Sequence, residues 1–409
     1  MKIGFVTPEF VTEKIRGGQA SYLENISKTL SKNGHEIFII VLSDHDEEFI
    51  WEDRITVCRV KYLEVTNLDK TPKLNLLKRL YKSFWAFAGI SLVLNHKTNK
   101  LFKEGRIEIA QYSSLRAIPL FISKKVPSII RLSAHPAYWR YTLEEKMDID
   151  EVEDNLSLPE KIWMRSLRRA DYLFGPSQVV SRAIERKIGK RVDIIESPLS
   201  IYKNEMNAEM YNKYLEGKRY LLFFGTMNYA KGIQTIAPIL DDFLDKYSGM
   251  HFTFLGKDDI VSHNKQKISS KEYILKHIKK HRDRIIFIDP IYEKTFLNYI
   301  IYKSEACVLP SRMDNLPNTC VEAMALGKIV IGTNGASFEQ LIVDGVNGYL
   351  CERDDSKGLL KCMDKLMNMT EAQKKAMEMQ AKLRTEEMSA EKICCQLCDV
   401  YEKVLAMHK

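Results

Sequence analysis

Two carboxylates and a lysine are the residues of this sequence best suited to chemistry on a charged ligand. Asp314 and Glu322 flank the stretch Asn315-Leu316-Pro317-Asn318-Thr319, and Lys231 closes the run Gly225-Thr226-Met227-Asn228-Tyr229-Ala230 just before Gly232. Pro317 fits the first position of a helix continuing through Glu322. The backbone N–H groups of Asn318 and Thr319, with the positive end of the helix dipole, then suit a diphosphate. Lys231 adds a point charge for the same phosphate. An ionised carboxylate accepts several hydrogen bonds, so Glu322 can hold the two hydroxyls of a ribose while Asp314, in the loop ahead of the helix, addresses sugar hydroxyls. The helix rises about 1.5 Å per residue, which separates the two acids too far for joint hydrolytic work at one bond.

Two further positions stand in the first half. Gly17-Gly18 precede a helix expected near Gln19, where the lack of a Cβ lets a ligand approach the backbone. His135 follows a strand expected to end near Ser133. On its own each has an ordinary reading, a loop for the glycines and a satisfied backbone carbonyl for the histidine. Lys231 at a helix start, by contrast, is unfavourable without an anion. A carboxylate such as Glu322 among Ala, Met and Leu is costly without a partner.

The elements that position these residues follow an α/β rhythm. Short Val-, Ile- and Phe-rich runs alternate with helical patterns, as in parallel sheets covered on both faces. Strands are expected at Lys2 to Thr7, Glu36 to Leu42, Ile55 to Val60, Ile107 to Tyr112, Ser128 to Ser133, Tyr172 to Phe174 and Asp193 to Glu196. A second set runs Arg219 to Phe224, Met250 to Leu255, Arg284 to Ile288, Ala306 to Leu309 and Ile329 to Gly332. The polar stretch Tyr202 to Lys218 interrupts the rhythm. The expected domains are 1–205, 218–385 and a C-terminal helix, 386–409, able to pack back on the first domain. Ligands of such sheets bind beyond the carboxyl ends of the strands, where all of these candidate residues fall.

Composition narrows the classes. With 409 residues, 45% apolar and 28% charged, the chain has material for two folded domains and no sign of disorder. The start, Met1 to Val6, runs into a strand pattern without a leader, and the most apolar stretch, Phe84 to Leu94, is about half of what crosses a bilayer; the expectation is a cytoplasmic protein. Its eight cysteines lack CxxC knuckles or metal-ligand spacing and read as reduced, packed thiols. Cys394 and Cys398 share a helix face but make an incomplete zinc site. No metal site is expected. His35 and Cys58 are assigned to turns or packing.

The net charge of +8 is unevenly spread, since Lys70 to Lys103 holds eight Lys or Arg and no acid. Its apolar and aromatic residues fit either a helix packed on the sheet or a surface that docks on anionic lipid. No nucleic-acid motif accompanies it, so nucleic acid is not expected as a partner.

The joint order of Gly17-Gly18, His135, Gly225 to Gly232 and Asp314 to Glu322 resembles glycosyltransferase family 4 over nearly the whole chain. Asp171 to Ser177 and Asn33 to Glu36 look like structural signatures of the same family. The resemblance implies the GT-B fold, two Rossmann-like domains with parallel sheets facing a central cleft, and a retaining glycosyltransferase using a UDP- or GDP-sugar as substrate, with no cofactor. It implies Lys231 on the diphosphate, Glu322 on the ribose, Asp314, Asn315 and Leu316 around the transferred sugar, Gly18 near the phosphate and His135 near the anomeric centre. It further implies front-face transfer to a saccharide or lipid-linked acceptor, in surface polysaccharide or glycolipid synthesis and peripheral to the inner face of the membrane. Two departures stand out. The first acid is Asp314 where Glu is usual, and Thr226 stands where many members carry Arg, leaving Arg312 or Arg131 as substitute phosphate cations. Other readings of the fold are a nucleotide-sugar epimerase, a phosphorylase, or a non-catalytic partner subunit.

Overall fold

The computed structural model describes residues 1–14, 17–62, 76–138, 140, 153–199 and 206–409, with only the backbone for 76–86. By internal contacts the chain divides into two compact units, Met1–Ala137 with Val152–Ser200 and Ser389–Lys409, and Tyr138–Glu151 with Ile201–Met388.

The first unit is an eight-stranded sheet. Its strands are β1 (Lys2–Thr7), β2 (Glu36–Ser43), β3 (Glu47–Glu52), β4 (Ile55–Lys61), β5 (Ile109–Ser113), β6 (Ser128–Arg131), β7 (Tyr172–Gly175) and β8 (Asp193–Ile194), in the order β3-β4-β2-β1-β5-β6-β7-β8. All pairs are parallel except β3 with β4. β1 and β2 are near-continuous apolar runs because helices cover both faces. Its helices include α1 (Gly18–Lys32), α2 (Leu76–Lys103), α3 (Leu158–Ser166) and α4 (Gln178–Ile188).

The second unit carries β9 (Arg219–Phe224), β10 (Met250–Leu255), β11 (Ile260–His263), β12 (Gln266–Ser269), β13 (Ile285–Ile288), β14 (Ala306–Val308), β15 (Val330–Thr333) and β16 (Tyr349–Cys351). Six of these form a parallel sheet in the order β13-β10-β9-β14-β15-β16, and β11 and β12 pair as a separate hairpin. Its site is framed by α5 (Lys294–Lys303) and α6 (Asn318–Ala325).

The last helix, α7 (Ala390–Ala406), belongs to the first unit. Ile393, Leu397, Val400, Tyr401 and Val404 recur at helical spacing and enter the core formed by Ile3, Phe5, Leu23, Ile26 and Ile39. Tyr401 Oη donates to Gln111 Oε1 at 2.7 Å, which satisfies a buried polar pair.

Several elements depart from the sequence pattern. β3 reads as a loop because its Glu residues mask a short, half-exposed edge strand. The β11–β12 hairpin and β16 are likewise not among the expected strands. β6 ends at Arg131 and β8 at Ile194, short of the apolar runs that suggested them, because neighbouring strands stop pairing there. All eight cysteines are free thiols. No helix among the described residues is long and apolar enough to cross a membrane.

Candidate active site

In the second unit, the loops after β9 and β14 build the site. Asn228 caps the turn Tyr229–Lys231 by accepting the Lys231 N–H at 3.1 Å. Gly232 then takes φ 83°, and a Cβ there would lie 1.9 Å from the carbonyl oxygen of Pro310. Only glycine allows that approach. The Arg312 N–H donates to the Ala230 carbonyl at 2.9 Å, tying the two loops together. Lys231 is therefore on a short 3-10 turn rather than opening an α-helix.

This packing brings Lys231 Nζ into an ion pair with Asp314 Oδ2. The other carboxylate oxygen of Asp314 accepts the Asn315 N–H at 3.0 Å, and its carbonyl accepts the Ser337 hydroxyl at 2.8 Å. The expectation that Lys231 needs an external anion is thus corrected, because Asp314 supplies one. Pro317 is the residue ahead of α6, not its first residue. The first intrahelical bond there runs from the Val321 N–H to the Pro317 carbonyl, so the Asn318 and Thr319 amides have no partner within the helix. Gly225 lies against this turn, where an added Cβ would sit 3.8 Å from Thr319 Cγ2, with Thr226 next in the loop and Leu316 buried.

Glu322 is also not partnerless. Lys294 Nζ donates to its Oε1 at 2.6 Å. Lys294 opens α5 in the connection after β13. No motif in the sequence marks it, although its place just beyond a strand is the signal that could have found it. Two lysines from different loops thus each hold one acid of the Asp314–Glu322 segment, and the four charges cancel.

Both substitute cations are engaged within the protein. The Arg312 Nε donates to both oxygens of Asp354, at 2.8 and 3.0 Å. Arg131 lies buried in the first unit over the Tyr22 ring, donating to Gln19 Oε1 at 2.9 Å and Ser197 Oγ at 2.7 Å. Burial lowers its pKa.

In the first unit the same edge of the sheet gathers Gly17, Gly18 and His135. α1 starts at Gly18 with Gly17 as its cap. The next residue, Gln19, accepts from Arg131 and from the Ser133 hydroxyl at 2.7 Å, joining the glycine loop to the end of β6. His135 is buried, and its Nδ1 accepts the Ala137 N–H at 3.3 Å. In the neutral ring that leaves the proton on Nε2. Glu9, which no sequence motif marks, accepts the amides of Gln19 and Ala20. Burial nevertheless raises its carboxyl above the usual range, outweighing those bonds and the nearby Arg116. Among the described residues no group of three or more His, Cys, Asp or Glu side chains is placed to hold a metal ion.

Two parallel α/β units with these strand-end loops define the GT-B class. A sucrose-phosphate synthase from Thermosynechococcus elongatus superposes with TM-score 0.70 at 15% identity, covering 99% of each chain. A trehalose-6-phosphate protein from E. coli bound with UDP-2-fluoro glucose does so with TM-score 0.70 at 10% identity, covering 98% of each.

Residues 218–369, the body of the second unit, match the family Glycosyl transferases group 1. An uncharacterized glycosyltransferase of Haemophilus influenzae is 24% identical over 200 residues, 49% of this chain and 52% of that protein, so the match spans about half of the relative's length. The neighbours show the GT-B fold for the chain, and the family match covers its second unit.

Proposed function

We propose that this protein is a glycosyltransferase that moves a hexosyl group, with retention, from a UDP- or GDP-sugar to a hydroxyl of a saccharide or lipid-linked acceptor in surface polysaccharide or glycolipid synthesis. The observation that carries the reading is the pair of lysine–carboxylate contacts, Lys231 with Asp314 and Lys294 with Glu322, beside the amino end of α6. The nucleotide-sugar analogue in the E. coli neighbour supports the donor class.

A pyrophosphate brings its own negative charge to Lys231 and to the Asn318 and Thr319 amides. It replaces Asp314 as the partner of Lys231, and the released carboxylate takes up hydroxyls of the sugar beside Asn315 and Leu316. Glu322 accepts the ribose hydroxyls while Lys294 keeps its other oxygen occupied. Gly17, Gly18, Gly225 and Thr226 give the donor room, and His135 serves the sugar near its anomeric carbon.

In the transfer step the bond from the anomeric carbon to the phosphate oxygen breaks, and a bond to the acceptor oxygen forms on the same face. The acceptor proton passes to the leaving phosphate oxygen. Lys231 and the helix end stabilise the charge growing on the diphosphate, the part a metal ion plays elsewhere. Segment 70–103 serves as a peripheral contact with the inner face of the membrane; residues 70–75 lie outside the described residues, and only the backbone is described for 76–86.

The test is a donor screen by thermal stabilisation, because a ligand bound only to the native state raises Tm, together with anomeric analysis of the product. Nucleoside diphosphate release that depends on a hydroxyl acceptor supports transfer. Release of sugar without acceptor, inverted product, or no stabilisation by any nucleotide sugar overturns the reading.

A further inference from the structure

The edge of the first sheet opposite the glycine loop and His135 has a charge pattern that nucleotide chemistry does not use. β5, β6, β7 and β8 are adjacent and parallel, so the segments entering them line up along one edge, neighbouring strands about 4.8 Å apart. Each entering segment brings cations. Lys100 and Lys103 end α2 ahead of β5, Lys124-Lys125 precede β6, Arg168-Arg169 precede β7, and Lys190-Arg191 precede β8. In sequence these pairs are far apart, and only the strand order makes them a row.

The members of the row differ in how far they are neutralised. Arg191 pairs with Asp193 at 2.6 Å, Lys100 lies 4.0 Å from Glu104, and Lys190 donates to the Ala170 carbonyl. Lys103, Lys124, Lys125, Arg168 and Arg169 are exposed and have no acidic partner among the described residues. The acids of the same edge are engaged within the protein. Asp171 accepts the Ser128 amide and hydroxyl and His408, Asp193 accepts Tyr172 and Arg191, and Glu108 accepts the Lys2 amide. Like charges left side by side without counter-ions repel, and an anionic surface relieves that repulsion. Exposed apolar side chains flank the row: Phe121 just ahead of Lys124, 37% exposed, and Met407 at 58% beside His408. Cations interleaved with bare apolar side chains suit an interface that is anionic above and apolar below.

We propose that this strand-entry edge of the first unit is a docking surface for an anionic lipid bilayer, with Lys124, Lys125, Arg168 and Arg169 as its centre. The surface stands apart from the donor chemistry and from the 76–86 portion of α2. It holds the opposite edge, with Gly17, Gly18 and His135, away from the headgroup plane.

The experiment is vesicle flotation of the full chain with phosphatidylcholine vesicles, with and without phosphatidylglycerol, beside nucleotide-induced thermal stabilisation of the same samples. Wild type is expected to float with the anionic vesicles only, and less as salt rises. The variant Lys124→Ala, Lys125→Ala, Arg168→Ala, Arg169→Ala is expected to partition several hundred-fold more weakly, about five-fold for each cation removed. The charge-keeping variant Lys124→Arg, Lys125→Arg, Arg168→Lys, Arg169→Lys is expected to float like wild type, which separates lost charge from lost fold. Wild type that ignores anionic vesicles overturns the proposal. So does a four-alanine variant that floats undiminished, or wild type that binds polyphosphate or RNA but not vesicles. Nucleotide stabilisation does not depend on this edge, so its loss in wild type counts against the donor reading and leaves the docking surface standing.

Discussion

The two units arrange their strand ends by opposite electrostatic means. The second meets charge with charge: Lys231 faces Asp314, Lys294 faces Glu322, and Arg312 faces Asp354. The first centres on one neutral amide, Gln19, which holds Arg131 and Ser133 and so fixes the glycine loop relative to the end of β6. Ion pairs in a part-exposed site exchange partners at small cost, because solvent screens both states. A buried amide network does not, because each broken bond leaves an unsatisfied polar group. One unit is suited to trading counter-ions with a ligand, the other to holding a fixed shape.

The sharpest way to break this comparison is Lys231→Ala. Loss of the cation that meets the leaving phosphate should lower kcat on the order of 100- to 1,000-fold without lowering Tm, and near-normal turnover would remove the charge-exchange idea. Lys294→Met tests the second pair. It leaves Glu322 without its lysine, and donor KM is expected to rise about 10-fold or more, the cost of losing a hydrogen bond to a charged group, with kcat little changed. Gln19→Ala probes the other unit, where Arg131 would lose one of its two acceptors in a buried setting. Stability should fall by about 1–3 kcal/mol in denaturant unfolding, while nucleoside diphosphate affinity stays at the wild-type value.

Smaller effects sharpen the contrast. Asp314→Asn removes the internal competitor for Lys231, so nucleoside diphosphate should bind up to about five-fold more tightly even as transfer slows; weaker binding in calorimetry would refute the exchange of partners. Glu9→Gln gives the smallest change. The Glu9 carboxyl titrates above its usual range because burial favours its neutral form. Its contribution to stability is therefore fully present below the ordinary carboxylate pKa and is lost as pH rises through the raised one. The glutamine variant should melt above wild type at neutral pH, and the gap should close as pH falls through that window. A gap that widens on acidification would show the opposite sign.

Much of the fold and site is legible in the sequence because the signals are local. The apolar runs of β1, β2, β9 and β10 announce parallel strands by composition alone. Asp314, Pro317 and Glu322 sit in one contiguous segment, so their relation to a helix start is set by spacing. Edge strand β3 stays hidden because charged residues on a half-exposed strand carry no alternating apolar signal.

The sequence by itself determined the α/β alternation, the residues at the strand ends and the helix that opens after Pro317, all set by neighbours along the chain. Tertiary structure alone decided who pairs with whom. Lys231 and Asp314 meet because Gly232 lets two loops touch, Lys294 reaches Glu322 from the start of the helix that follows the edge strand β13, and the scattered basic pairs of the first unit align through strand order. Ion pairing depends on distance in space, and separation along the chain holds no record of it.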